Sequence, residues 1–439
     1  MTFTPHSSAD IKTMLDELGL SSHDDLFNHI PKELYLSDDI DIEESKSELE
    51  LIEYFNNLSN KNIQDLVCFA GDGHYDTYLP HTVKSLTMRP EFMTSYTPYQ
   101  AEVSQGVLQA LFEFQSLVAD LTDMDLANAS LYDGATAVVE AISMSITKTK
   151  RAKILISEGL NLRSVETLKT IINTDEISIE VLKYDKDFIH KLVATNDEIA
   201  CVVFSLPTCH GSVQDYLEIN EQLKEKGIMS ICLIDPSLLG VIKSPGTMGF
   251  DIVVAEGQAL GSALSFGGPT VGWFATKKEY ARLVPGRLIG ETIDKDNNKA
   301  YVMTLRAREQ DIRRAKASSN ICTNQTLNAI GSAIHLSWLG PHGLREMGYQ
   351  SMQKAHYLSD KLSSNFLLPL NNNFIREFLV DVDTRTPEEV IRKMSKKGYL
   401  AGISVKKDNK KYLLVAVTEK RTKRELDGYA DALQEVVYG

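Results

Sequence analysis

Between Ala9 and Pro31 the apolar residues Ile11, Met14, Leu15 and Leu18, then Leu26, Phe27 and Ile30, recur at helical spacing on either side of a Gly19-Leu20-Ser21-Ser22 break. This pattern predicts a small helical arm. A second amphipathic helix is expected over Ser45 to Leu58, after the acidic stretch Asp38 to Glu44, and a well-buried one over Val107 to Leu121. From Ala127 onward the pattern changes. Short apolar runs at Lys153 to Ser157, Ala200 to Ser205, Met229 to Ile234 and Asp251 to Ala255 alternate with helical stretches. Such alternation implies right-handed crossovers and a mostly parallel sheet with helices on both faces. The central domain is therefore expected to be α/β.

After Pro341 a second pattern begins. A strand is predicted over Phe374 to Val382, and Thr386-Pro387-Glu388-Glu389 opens a helix: Thr386 as N-cap, Pro387 at the first helical position and Glu389 completing a capping box. A strand over Tyr412 to Val417 and a last helix over Lys423 to Val437 complete a small α+β domain. The expected organisation is a helical arm over residues 1–65, a large domain over 66–340 and a small domain over 341–439. With no repeat, heptad or low-complexity linker, the two domains are expected to pack together.

Composition narrows the functional classes. A chain of 439 residues with 43% hydrophobic and 24% charged content can bury a large core. A formal net charge of −14 argues against nucleic acid as the main partner, because that affinity comes from Lys and Arg neutralising phosphates. Cys68, Cys201, Cys209, Cys232 and Cys322 form no CxxC pair, and no Cys/His cluster has zinc-ligand spacing. No metal site is expected, and His74 and His81 read as surface or satisfied core residues. Free thiols fit a reducing compartment. Met1 to Asp10 lacks a basic region followed by an apolar run, and no stretch approaches the ~20 apolar residues that span a bilayer. A cytoplasmic location without membrane association is the expectation. The absence of GxxxxGK[ST], GxSxG, HExxH and a post-strand GxGxxG removes the simplest nucleotide, hydrolase and metalloprotease readings.

Open α/β sheets bind ligands at the carboxyl ends of their strands. Three such ends stand out. Asp133-Gly134-Ala135-Thr136 precedes a helix over Ala135 to Ile146, where small residues let backbone N–H groups and the helix N-terminus approach a phosphate; Asp133 acting simply as the helix cap is the plainer reading. Asp235 follows Ile231-Cys232-Leu233-Ile234 and is suited to hold a pyridinium nitrogen protonated, although Asp is also a common turn residue. The third end follows Asp251 to Ala255 and reads Glu256-Gly257-Gln258-Ala259-Leu260-Gly261. No lysine occurs between Lys243 and Lys277, and Gln258 cannot form an imine.

Longer blocks complete the picture: Met93-Thr94-Ser95-Tyr96-Thr97-Pro98-Tyr99-Gln100-Ala101-Glu102-Val103-Ser104-Gln105-Gly106, Leu131-Tyr132-Asp133-Gly134-Ala135-Thr136-Ala137, Leu305-Arg306-Ala307-Arg308-Glu309-Gln310-Asp311-Ile312-Arg313-Arg314, and Ala317-Ser318-Ser319-Asn320-Ile321-Cys322-Thr323-Asn324-Gln325. With the strand ends, these resemble the glycine decarboxylase, or P-protein, of the glycine cleavage system across nearly the whole chain. The length and the missing lysine look like the first, alpha subunit of its two-subunit form.

The resemblance implies an aminotransferase-like large domain of pyridoxal-phosphate fold type I, beside the small α+β domain and the helical arm. It implies a homologous beta subunit, in an assembly of two copies of each, that holds pyridoxal 5'-phosphate on its own lysine. It also implies an oxidoreductase of amino-acid catabolism: glycine loses carbon dioxide and the aminomethyl group passes to the lipoyl arm of the H-protein. In this chain Gly134, Ala135, Thr136, Asp235 and Gln258 then form a degenerate cofactor cup. Tyr96, Tyr99 and Glu102 are catalytic candidates that complete the partner's pocket. Gln100, Gln105, Asn320 and Asn324 are substrate-binding candidates, with Thr323 and Gln325 in the same polar cluster. An ordinary subunit interface and helix capping are the competing readings for these two segments. Two stretches depart from the family pattern. Gly71-Asp72-Gly73-His74-Tyr75-Asp76 is bulkier than expected between its glycines, and Ser205-Leu206-Pro207-Thr208-Cys209-His210-Gly211 replaces an Asn-Pro-Asn-type sequence. The alternatives are a non-catalytic scaffold paralogue and a self-sufficient lyase or aminotransferase using Lys243 or Lys277.

Overall fold

The computed structural model describes residues 5–36, 40–63, 65–172, 175–183, 198–317, 319–370 and 373–439. Asp38 and Asp39 of the acidic stretch and Ser318 of the last family block lie outside the described residues. The chain divides into two compact units, Met1–Gln64 and Asp65–Gly439.

In the first unit the helix Ser8–Leu18 starts at a reciprocal cap, in which Ser7 Oγ accepts from the Asp10 N–H and the Asp10 carboxylate accepts from the Ser7 N–H. It stops at Gly19, whose φ of +68° is the left-handed conformation that glycine adopts without strain. The second apolar cluster forms a short 3-10 helix, His23–Phe27, in place of a full α-helix. The next helix is Glu48–Ser59, three residues later than the spacing suggests, because the Ser47–Glu50 capping box sets its start.

The second unit is built on a seven-stranded sheet. In chain order its strands are β2 (Leu126–Ala127), β3 (Lys153–Ser157), β4 (Ser178–Leu182), β5 (Ile199–Leu206), β6 (Met229–Ile234), β7 (Ile252–Glu256) and β8 (Gly272–Thr276). The spatial order is β2-β8-β7-β6-β5-β3-β4, and β8 runs antiparallel to both its neighbours while the rest share one direction. The inner strands are apolar on both faces. Val202 and Phe204 of β5 join a core with the helix Gln105–Thr122, and Cys201 and Val203 join the core under the helix Gly134–Thr149. A strand buried on both sides loses the period-two pattern, which is why these segments read as continuous apolar runs.

The helix from Thr326 runs to Leu362. It kinks at Gly340, where φ is +59°, because Pro341 has no N–H to continue the ladder. Beyond the kink lies an antiparallel sheet of order β11-β14-β13, comprising β11 (Glu377–Val380), β13 (Ile403–Lys407) and β14 (Lys410–Ala416). The helices Pro387–Ser395 and Lys423–Tyr438 cover it, together with Phe69, which follows β1 (Val67–Cys68). Strand β1 pairs in parallel with β12 (Tyr399–Leu400). A hairpin of β9 (Leu288–Ile293) and β10 (Lys299–Thr304) adds to the predicted elements. Only half of the expected capping box at Thr386 forms: its Oγ1 accepts from the Glu389 N–H, while the Glu389 carboxylate pairs with Arg385 and Lys393.

The strand expected over Phe374 to Val382 is ladder-paired only from Glu377 to Val380, because Phe374 bridges to Ser212 instead. That bridge leaves Arg376 and Glu377 facing the carboxyl ends of the central strands.

Candidate active site

Asp235 stands at the carboxyl end of β6. Its Oδ1 accepts from the Ser237 N–H (3.1 Å) and Oγ (2.7 Å), and its Oδ2 is ion-paired with the Arg376 guanidinium. Both side chains are almost free of solvent, and the guanidinium lies 3.3 Å from the centroid of the Tyr75 ring. Glu377 is buried beside it and accepts from the Asp72 N–H (2.7 Å) and the Tyr75 hydroxyl (2.8 Å). Burial pushes the Glu377 carboxyl up to about 7, against the lowering pull of these hydrogen bonds and of Arg376.

The two departing loops account for themselves here. A Cβ at Gly71 would fall 2.1 Å from a Glu377 carboxylate oxygen, and one at Gly211 would fall 2.1 Å from the Glu377 carbonyl oxygen. The loops over 71–76 and 205–211 thus clasp the Arg376-Glu377 pair. Asp72, between Gly71 and Gly73, and Tyr75, just beyond them, make the contacts. Neither Arg376 nor Glu377 was a sequence candidate. The available signal was a charged pair inside the otherwise apolar stretch Phe374 to Val380.

At the head of the helix Gly134–Thr149, Asp133 caps: its carboxylate accepts from the Thr136 N–H at 2.8 Å, so Thr136 is occupied in the cap. The Gly134 N–H donates to the Glu256 carboxylate at 3.0 Å. Glu256 accepts further from the Gln258 N–H (3.0 Å) and the Thr270 hydroxyl (3.2 Å), and burial raises its carboxyl to about 7. Gln258 is buried and saturated. Its Oε1 accepts from the Tyr75 N–H (2.9 Å) and its Nε2 donates to the Tyr75 and Ser262 carbonyls (3.2 and 3.1 Å). Lys277 is far from this edge in topology. It follows β8, the strand of opposite direction, and pairs with Asp251 at the amino end of β7 (2.6 Å).

These residues do not fit pyridoxal phosphate. The amine is replaced by a locked amide, the helix N-terminus already holds a carboxylate, and the aspartate already holds a cation.

A second locus lies on the segment 93–105. Tyr96 is 72% exposed, and Gln100 and Glu102 are exposed as well. None of them lines the cleft around Asp235. Tyr99 is anchored by Arg287, a residue that sequence reasoning did not single out. Arg287 is buried, lies 5.3 Å from the Tyr99 ring centroid, and donates to Thr97 Oγ1 (2.8 Å) and to the Tyr99 hydroxyl (3.4 Å). Arg306 approaches the same ring at 5.9 Å, which joins this segment to the block beginning at Leu305. Gln105 is turned inward: its amide exchanges hydrogen bonds with the Tyr301 backbone (2.9 Å each way) and ties its helix to β10. Asn324 accepts from the Thr326 hydroxyl (2.6 Å), but no side chain caps the long helix at its N-cap Gln325, whose N–H donates to Ser130 Oγ. Asn320 and Thr323 are exposed.

Residues 1–433 match the model of the glycine cleavage system P-protein family. The chain belongs to that family. It is 40% identical over 443 residues to the probable glycine dehydrogenase (decarboxylating) subunit 1 of Chloroherpeton thalassium, covering 99% of this chain and all of that one. It is 42% identical over 444 residues to the protein of the same name from Chlorobium luteolum, with the same coverage. A crystal structure of glycine decarboxylase (P-protein) in inhibitor-bound form superposes with a TM-score of 0.91 at 37% identity, covering 99% of this chain and 100% of that one. A glutamate decarboxylase from Lactobacillus brevis shares the fold at 14% identity, with a TM-score of 0.69 over 91% of this chain and 95% of its own. The fold is that of the pyridoxal-phosphate-dependent fold type I enzymes, as expected for a P-protein. Among the described residues, no helix of this P-protein chain is long and apolar enough to cross a membrane.

Proposed function

We propose that this chain is the lysine-free alpha subunit of a glycine dehydrogenase (aminomethyl-transferring), and that it decarboxylates glycine only when joined to a beta subunit. The observation that carries the reading is Gln258, which stands where the imine-forming lysine is expected and is fully engaged with Tyr75 and Ser262. Held on the partner's lysine, pyridoxal phosphate would supply the electron sink that decarboxylation needs. The aminomethyl group then goes to the lipoyl arm of the H-protein. The relatives' designation as subunit 1 supports a second subunit, and the assembly is a cytoplasmic heterotetramer with two copies of each chain.

This chain contributes the segment 96–105. Arg287 fixes Tyr99 and Thr97 from below, so that Tyr96 and Glu102 are presented outward on a braced backbone. Tyrosine and glutamate suit orienting a substrate or moving a proton in the partner's pocket. Gln100, Asn320 and Asn324 are the polar groups proposed to meet glycine there. The inward amide of Gln105 supports a bracing role in place of direct substrate contact.

The test is to purify the chain with and without its beta subunit and measure glycine-dependent release of carbon dioxide. Release is expected only from the pair. Turnover by this chain alone would support the self-sufficient enzyme, which the position of Lys277 beside Asp251 disfavours. Undiminished turnover by the beta subunit alone would support the scaffold.

A further inference from the structure

We infer that the cup of this chain excludes pyridoxal phosphate because its own side chains fill the cofactor's charge pattern, with the Tyr75 loop as the plug. This deepens the functional reading above and rests on it.

The cofactor needs three things from a fold type I cup: an anion seat for its phosphate, a carboxylate against its pyridinium nitrogen, and an amine. In this chain all three are met internally. At the anion seat, Glu256 takes the Gly134 N–H at the start of the helix, together with the Gln258 N–H and the Thr270 hydroxyl. The packing there is tight. A Cβ at Gly134 would lie 2.9 Å from both the Glu256 nitrogen and its Cβ, so the helix start sits directly against the end of β7 and Glu256 is held at the Gly134 N–H. Above about pH 7, where Glu256 is ionised, its charge also repels an incoming phosphate dianion. At the cation seat, Arg376 gives Asp235 the positive charge that a pyridinium would supply, and the planar guanidinium lies on the Tyr75 ring.

Gln258 completes the closure through the same residue. Its amide exchanges hydrogen bonds with the Tyr75 backbone, while the Tyr75 hydroxyl donates to Glu377. Tyr75 is therefore held by its backbone from Gln258, and by its ring face and hydroxyl from the adjacent Arg376 and Glu377. Restoring a lysine alone does not reopen the cup, because the anion seat and the plug remain.

The test uses the full chain co-purified with its partner, treated with pyridoxal phosphate and borohydride, with pyridoxyl groups located by peptide mass spectrometry. Wild type and Gln258→Lys are expected to carry less than a tenth of an equivalent on this chain. The triple variant Tyr75→Gly, Glu256→Ser, Gln258→Lys is expected to rise at least fivefold, at residue 258. Stoichiometric labelling of Gln258→Lys alone would overturn the inference, as would a triple variant that assembles normally yet labels no better than wild type. Should the triple variant fail to assemble, the Gln258→Lys single variant decides by itself: near-absent labelling supports the inference and full labelling sinks it. The readout is cofactor on this chain, independent of turnover. A pair that releases no carbon dioxide would defeat the functional reading and leave this one standing.

Discussion

Asp235 and Arg376 form an ion pair in which neither side chain retains appreciable contact with water, and the pair joins the carboxyl end of β6 to the segment leading into β11. Removing two charges from water costs several kcal/mol each, and the pair persists only with further support. Here that support comes from the Ser237 N–H and hydroxyl on one partner and the Tyr75 ring on the other. Deleting one member strands the other. Arg376→Leu or Asp235→Leu is expected to lower stability by about 3–5 kcal/mol, measured by urea unfolding. The double variant should recover most of that loss; equal or additive losses would show that the two residues do not act as a pair.

The pH dependence of stability has a definite sign. Burial raises Glu377 from the ordinary 4.5 to about 7, and Glu256 behaves likewise. The folded chain therefore holds protons that the unfolded chain releases between these limits. Stability is fullest below about pH 4.5 as far as these two groups are concerned, falls as pH rises toward 7, and levels off above it. Glu377→Gln keeps the shape and an acceptor while removing the ionisation. It is expected to flatten the dependence between pH 5 and 8 and to gain on the order of 1–3 kcal/mol at pH 8. An unchanged slope in urea titrations at the two pH values would refute this.

Gly211 has a φ of +94°, and any Cβ there would strike the backbone of Glu377. Both effects act together, since an L side chain is strained at that φ and the neighbouring backbone cannot move aside without breaking the clasp. Gly211→Ala is expected to cost more than about 3 kcal/mol, read as loss of soluble chain or a lowered thermal midpoint. Gly249 also has a positive φ, but its Cβ would meet only Asn220 Cβ at 3.5 Å. Gly249→Ala is thus the control for strain without a clash and should cost about 1 kcal/mol.

Tyr96→Phe and Glu102→Gln test the braced segment. Losing one positioned polar group that stabilises developing charge commonly costs about a hundredfold in rate. Each variant is expected to lower glycine turnover of the assembled enzyme to that degree while sedimentation of the complex stays unchanged. Normal assembly with nearly full turnover would make the segment an ordinary interface.

Much of the architecture was legible in the chain because it rests on local rules. Short, largely apolar runs such as Met229 to Ile234, alternating with helical stretches, match strands buried on both faces, and Thr386-Pro387 opens a helix by the hydrogen bond its hydroxyl accepts and the φ its ring imposes. The long blocks around Tyr96 and Arg306 identified the family, and the missing lysine near Gln258 was visible without coordinates. The strand over Phe374 to Val382 was overestimated because a single long-range bridge, Phe374 to Ser212, outweighed local strand preference.

What the sequence by itself determined was the α/β scaffold, the family and the absence of an imine-forming amine, since each depends on residue type and spacing within one segment. What only the tertiary structure decided was the state of the cup. Glu256 and Gly134, Asp235 and Arg376, and Tyr75 and Gln258 are paired across distant segments, and such pairs leave no periodicity to read. Their partners are set by which strand ends and loops the fold brings within hydrogen-bond reach, and by the cost of leaving any of those buried groups without one.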